Sequence, residues 1–396
     1  RDLLQRDPRN TQALLGLAEL KARTGGSKDE VTAAIRLAVQ ADPSEVRPRL
    51  LLVNHLLSHR DATAALVAAQ DASGALPNSM EVLEALGSAQ LAAGQHQQAV
   101  TSFTRLAALR PDRPEPEMRV AEAHLAAQDS AAARRNLNKA LEIRPGFVPA
   151  HRALVQLALR ENQPQEALAA AQRLQRREAR DPAGFLLEAE VRMSQREPEA
   201  ALAPLRRALE LGGGTEAAMR LHGALLAANR GAEAERMAAG WAREQPRDAG
   251  FRFYLGDRAL TVQDYPAAEA HYRSVLQLQP DNALALNNVA WLMAQQGKPG
   301  ALPLARRANE LLPDQPALMD TLAWVLALDR QLPQALELQR RALAKAPEDP
   351  GLRLTLARIH LQAGDRAQAR TELQALAALG DRYAGQAEVT RLLGTL

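Results

Sequence analysis

The sequence predicts an all-α solenoid of stacked helix pairs, and three observations lead there. The first is composition. The chain of 396 residues is 46% hydrophobic and 24% charged, which suits a folded protein. Its apolar residues are mostly Leu and Ala, a mix that favours helix over sheet. The second is a ruler of prolines at a spacing near 34. The third is a pair of like stretches, NNVAWLMAQQG at 287–297 and DTLAWVLALDR at 320–330. They place Trp291 and Trp324, two of only three tryptophans, 33 positions apart.

The ruler runs Pro8, Pro43, Pro77, Pro111 and Pro145, at steps of 35, 34, 34 and 34. It resumes at Pro246, Pro280, Pro313 and Pro347, at steps of 34, 33 and 34, with Ala179 and Gly213 filling the places between. Each proline follows a Leu/Ala/Arg run and stops it, because it has no amide hydrogen to extend the ladder. Between prolines each segment reads as two short helices. In 249–282 the first offers Leu255, Gly256 and Ala259, and the second Ala268, Tyr272 and Val275. Breaks between helices fall at Gly94, Gly297 and Gly364, where a left-handed residue costs little. A pair this small cannot bury its apolar face alone, so neighbours must stack.

The pattern resembles the tetratricopeptide repeat, a helix–turn–helix of about 34 residues. The resemblance covers the whole chain and implies a right-handed superhelix of about eleven units. Units start near 11, 46, 80, 114, 148, 182, 216, 249, 283, 316 and 350. Residues 1–10 read as the tail of an upstream unit and 384–394 as a capping helix, in a single solenoid. The repeat carries a small residue at position 8, Ala at 20, a large apolar at 24, Ala at 27 and Pro at 32. Gly87, Ala99 and Phe103 are one instance; Ala323, Ala335 and Ala342 are another. The fit is weakest over 182–248, where two prolines are missing and Trp241 stands at an alanine place, read as core.

The tryptophans give the candidate site. In this repeat, positions 4, 7, 8 and 11 of the first helix pack into the stack. Here they are Leu286, Val289, Ala290 and Met293, then Met319, Leu322, Ala323 and Leu326. Position 9, which holds both tryptophans, lies roughly 150° from the mean of that face. Through the last four units it reads Asp257, Trp291, Trp324 and Arg358. Position 5 reads Phe253, Asn287, Asp320 and Leu354, and position 6 adds Tyr254, Asn288 and Thr321. With helices about 8–10 Å apart, this ladder would run about 25–30 Å along the concave face. Large amphipathic rings beside amide, carboxylate and hydroxyl groups suit an extended peptide or oligosaccharide. The competing reading is that each indole fills space between repeats.

Other signals point to ordinary structure. Gly212–Ala217 matches GxGxxA, but it follows a helix rather than a strand, so a turn is expected. His55 and His59 stand at i, i+4, yet no third metal ligand accompanies them. Arg134, Arg135, Arg173, Arg176, Arg177, Arg180, Arg206 and Arg207 fall on or after second helices. They read as a solvated face or as a docking patch for an acidic partner. With no cysteine there is no disulfide or thiolate chemistry. No nucleophile–base set, metal cluster or phosphate loop is present, so neither catalysis nor a cofactor is expected. Basic and acidic residues number 49 and 46, which gives no basis for nucleic-acid binding. No apolar run of 18 residues exists to span a membrane. A chain that opens at Arg1 without a signal peptide is expected to be a fragment of a longer protein.

The last four units, from NNVAWLMAQQG through ALPLARRANELLPDQPALMDTLAWVLALDRQLPQALELQRRAL, resemble a narrower group. It is the tetratricopeptide lipoprotein of the PEP-CTERM/exosortase system (PrsT type). That resemblance implies a lipid-anchored protein of a Gram-negative periplasm or outer membrane, tied to exopolysaccharide production and protein sorting. The residues of this chain leave a cytoplasmic location open. Three functions follow: a non-enzymatic scaffold whose groove binds a peptide or protein of the envelope machinery, a glycan-binding scaffold, or the targeting arm of an enzyme whose catalytic domain lies elsewhere.

Overall fold

The computed structural model describes residues 2–396. Among the described residues there are twenty-four α-helices, one short 3-10 turn and no strand. Eleven helix pairs run from Thr11–Arg23 with Lys28–Ala41 to Pro350–Gln362 with Arg366–Ala377. Helix Asp2–Arg6 precedes them and Gln386–Leu393 follows. Helices neighbouring in sequence pack on one another from Asp2–Arg6 to Pro198–Glu210 and from Ala249–Thr261 to Gln386–Leu393, and several first helices also touch the first helix of the next pair. The all-α expectation holds because turns of a few residues force each pair antiparallel. The chain divides into two compact units, residues 1–217 with 224–229, and 218–223 with 230–396.

One turn recurs in every pair. The residue two places past the end of each first helix has positive φ. Glycine occupies it at 25, 94, 297 and 364. Elsewhere it is Arg60, Gln128, Asn162, Arg196, Asn229, Gln263 or Arg330, with φ from 56° to 63°. Glycine is therefore not required at this turn, although a side chain there costs roughly 1 kcal/mol. The geometry is held by the following amide, which reaches back five residues: Asp61 N–H to the Leu56 carbonyl at 3.0 Å, Asp129 N–H to that of His124 at 2.8 Å.

In two of the pairs a ring of the second helix fits against a glycine of the first. A Cβ on Gly87 would lie 2.4 Å from the Phe103 ring, and one on Gly256 would lie 2.6 Å from the Tyr272 ring. Phe103 and Tyr272 are wholly buried. The first unit's core gathers residues such as Leu137, Leu154, Val155, Leu174 and Leu187. In the second unit Tyr272, Val289, Leu292, Val325 and Ile359 play that part. The positions read as stack-facing, Leu286, Val289, Ala290, Met293, Met319, Leu322, Ala323 and Leu326, are all buried. The pattern breaks at position 24 of the unit at 316: Gln339 stands there, with no exposed surface. Helix Gln386–Leu393 buries Val389 against Leu354, Leu373 and Leu376.

Two local expectations meet different outcomes. Gly212 and Gly213 form the turn into helix Gly214–Ala227, and the preceding element is helix Pro198–Glu210. The nucleotide fingerprint is thus a coincidence of turn residues. Trp241 is half-buried rather than core. Its indole N–H donates to Asp248 Oδ2 at 2.8 Å, and its ring meets Phe251 edge-on. An indole carries a polar donor that must be satisfied, and the partner acid lies at the start of the next helix.

The fit of glycine against ring predicts opposite signs at two glycines. Gly87→Ala forces its methyl into the Phe103 ring and should destabilise by about 1–3 kcal/mol. Gly240→Ala, inside helix Gly231–Glu244 with nothing within 4 Å of the added Cβ, should stabilise by roughly 0.5–1 kcal/mol. Thermal unfolding of both variants checks this.

Candidate functional site: a cleft across the first helices of the second unit

Five of the nine candidate residues converge. Asn287, Asn288 and Trp291 of helix Ala283–Gln295 face Asp320 and Thr321 of helix Pro316–Leu328 across an open cleft of about 280 Å³. Leu260 closes one end, and Asp349, Gly351 and Leu352 close the other. Trp291 is half-buried, with Tyr265 edge-on to its ring at 5.9 Å.

The cleft is rich in acceptors. Asn287 is only 8% exposed, and its Oδ1 is buried without a hydrogen-bond partner. Its amide donates weakly to Asn288 Oδ1 at 3.4 Å. Such an orphan acceptor costs about 1–3 kcal/mol. Asp320 Oδ1 accepts from Gln339 Nε2 at 2.6 Å, and the same amide donates to the Leu352 carbonyl at 2.7 Å. Gln339 Oε1 is itself unpartnered. Burial pushes the Asp320 carboxyl up to about 6, against the pull of Gln339 and Thr355, while Asp349 adds to the rise. A carboxylate in that condition favours an incoming donor or cation.

The other four candidates do not line this cleft. The Tyr254 hydroxyl lies 3.0 Å from His222 Nδ1. Asp257 accepts from the Tyr272 hydroxyl at 2.5 Å, and burial followed by this bond raises the Tyr272 pKa. Arg358 donates to Glu388 of the last helix at 2.6 and 3.1 Å, and its guanidinium sits 5.7 Å above the Trp324 ring. Trp324 packs against the core, its indole N–H buried without a partner. The two equivalent tryptophans therefore have unlike surroundings: one lines an open cleft and the other lies beneath an ion pair.

Sequence reasoning missed Asp349 and Gln339. Asp349 sits in the Pro347–Pro350 turn and caps the next helix, bonding the Gly351 amide at 2.8 Å. A capping acid was readable from the following proline and glycine. Gln339 carried a clearer signal, being polar where the repeat demands a large apolar residue.

The weaker candidates resolve as local contacts. His59 Nδ1 lies 2.8 Å from the His55 carbonyl, and His55 Nε2 lies 3.3 Å from that of Lys28. Among the described residues no three His, Cys, Asp or Glu side chains gather as metal ligands would. No helix among them is long and apolar enough to cross a membrane. Arg134 bonds Glu161 and Glu166, and Arg207 pairs with Glu210 at 2.9 Å.

Stacked helix pairs that share one left-handed turn define a repeat scaffold. The tetratricopeptide repeat profile matches residues 50–114, 84–147, 152–216 and 253–316, more than half of the chain. A second profile of the same description matches 326–393. The chain belongs to the tetratricopeptide repeat family. Among curated proteins, a TPR repeat-containing protein of Pseudomonas aeruginosa is 30% identical over 87 residues, 21% of this chain and 14% of that protein. The match thus spans only a small part of the relative's length. Among solved structures, MamA 41-end from Desulfovibrio magneticus RS-1 matches at a TM-score of 0.36 and 20% identity, over 43% of this chain and 97% of its own. A structure of Naa15/Naa10 bound to HypK-THB matches at 0.37 and 15% identity, over 94% of this chain and 64% of its own.

The raised Asp320 pKa fixes a pH dependence. The native carboxyl holds its proton up to about 6, whereas an unfolded aspartate loses it near 3.9. The folded state thus binds more protons between those values, and this group's contribution to stability falls as pH rises through them. Asp320→Asn removes that loss while keeping an acceptor for Gln339. The variant should gain on wild type by on the order of 2 kcal/mol between pH 4 and pH 7. Melting curves across that range measure it; a constant difference between the two proteins would contradict the assignment.

Proposed function

We propose that this chain is a non-enzymatic interaction scaffold that holds an extended peptide across the first helices of its second unit. The cleft around Asn287, Asn288, Trp291, Asp320 and Thr321 is the anchor. The observation that carries the reading is the cleft in which Trp291 stands with two accepting groups, the Asn288 amide and the Asp320 carboxylate. Both want hydrogen donors, and a peptide supplies them through backbone N–H groups and Lys or Arg side chains. Trp291 offers the ring against which such a side chain lies. Tyr254, Asp257, Trp324 and Arg358 lie outside this anchor, engaged with His222, Tyr272, the core and Glu388. A glycan, which also brings hydroxyl donors and flat ring faces for an indole, is the second reading, favoured by the same Trp291. On the narrower resemblance, the partner belongs to an envelope exopolysaccharide and PEP-CTERM sorting system, with the chain outside the cytoplasmic membrane on an upstream lipid anchor.

Peptides selected from a displayed random library on the whole chain, then titrated by calorimetry, test this. They should be enriched in Lys and Arg. Trp291→Ala should weaken them by about 2 kcal/mol, roughly thirtyfold, with a small change in melting temperature. Trp324→Ala should do the reverse, lowering the melting temperature because the Arg358 guanidinium loses its platform. Unchanged peptide affinity in a folded Trp291→Ala protein would place the site elsewhere. Binding of neutral oligosaccharides in place of peptides would favour the glycan.

A further inference from the structure

The second helices carry a separate feature. In the first unit an open cleft of about 990 Å³ lies along helices Ser130–Ile143 and Pro164–Arg177 and the Pro145 turn. Three guanidinium groups, Arg173, Arg176 and Arg177, converge on it. All three are exposed, and none has an ion-pair or hydrogen-bond partner among the described residues. Neighbouring arginines are spent differently. Arg134 bonds two glutamates, Arg144 pairs with Glu115 at 3.4 Å, and Arg119 pairs with Glu84 at 3.1 Å and Glu122 at 2.5 Å. Spacing of three and four residues puts the free three on one helix face, where like charges repel. An anion relieves that repulsion, so the arrangement is complementary to negative charge.

The rest of the cleft narrows the choice of anion. Leu141 and Pro145 supply an apolar wall, and Asn138 supplies an amide. Glu142 stands in the same wall; it repels either kind of anion beside it but can take a backbone N–H, which a peptide has and a phosphodiester chain lacks. The ring among the lining residues, the His151 imidazole, is buried and tied at both nitrogens, so the cleft offers no free face for base stacking, which disfavours a nucleic acid. The floor is fixed. His151 is 2% exposed, and its two ring nitrogens lie 3.0 Å from the Ala170 carbonyl and 2.9 Å from that of Pro145. These bonds tie the Pro145 turn to the helix that bears the arginines, so the charges sit on a framed surface. Planar guanidinium forks match carboxylates two bonds at a time.

We propose that this cleft docks a Glu/Asp-rich peptide segment of a partner protein, with carboxylates on Arg173, Arg176 and Arg177 and an aliphatic side chain against Leu141 and Pro145. It is distinct from the Trp291 cleft and does not depend on it.

Fluorescence anisotropy on the whole chain tests the proposal. The probe is a labelled peptide of about ten residues, Glu-rich with interspersed Leu, compared with its Gln-for-Glu counterpart and a labelled single-stranded DNA. The Glu peptide should bind and the other two should not. Combined Arg173→Gln, Arg176→Gln and Arg177→Gln should weaken it at least about tenfold with an unchanged melting curve. Arg330→Gln, Arg366→Gln and Arg370→Gln, the same loss of charge on the second unit, should leave binding intact. Equal loss in both triple variants would reduce the effect to net charge and overturn the proposal. So would wild-type affinity in the first variant, no binding by wild type, or tighter binding of DNA than of the Glu peptide.

Discussion

The close approach of the two helices of a pair, tightest where a glycine lies under a ring, is the contact on which the rest of the molecule depends. Gly87 under Phe103 and Gly256 under Tyr272 bring first and second helices so close that a methyl group does not fit between them. That closeness fixes where every other position of the repeat points. It sends positions 4, 7, 8 and 11 into the stack and leaves positions 5, 6 and 9 to line whatever surface the first helices present. A helix of about thirteen residues is marginal by itself; its stability comes from these tertiary contacts, so departures from the pattern are informative.

The largest departure lies at Gln339. The same place holds a ring in the units at 80 and 249, Phe103 and Tyr272, and an aliphatic residue such as Ala69, Leu137 or Leu373 in others. Here a buried amide reaches Asp320 and the Leu352 carbonyl and leaves its own oxygen unpaired. With Asn287 Oδ1 also orphaned, two adjacent pairs carry polar groups whose burial works against the fold. Such costs persist where a site needs the groups. Those of Asn287 and Gln339 lie at the cleft that Trp291 lines, while others, such as Thr32 and Gln195, lie in the first unit.

Much of this was legible in the sequence. The proline ruler gave the helix pairs because proline's missing amide acts locally, and the small and large residues gave the packing face because their periodicity is local too. The tryptophans were legible only by half. Their shared position 9 is real, but Trp324 is covered by Arg358, which is held by Glu388 thirty residues on. Nothing within one repeat reports a contact to another. The same limit hid Asp349, which closes the cleft from the next unit's turn. The left-handed residue at the turn within each pair was read where it is glycine, at 94, 297 and 364, and escaped elsewhere: Arg60 and Arg196 adopt it as glycine does, because the backbone bonds that flank it outweigh its cost.

If the proposed peptide site is what keeps the buried Asp320–Gln339 pair, the pair works against the fold. The most direct measurement is the melting temperature, at pH 7, of the double variant Asp320→Leu, Gln339→Leu, which restores an apolar contact of similar volume. Replacing a buried polar pair by well-packed apolar residues is often neutral or stabilising by about 1–4 kcal/mol. A variant that melts above wild type is the predicted result. One that melts well below it would mean the pair holds the repeats together, contradicting the claim.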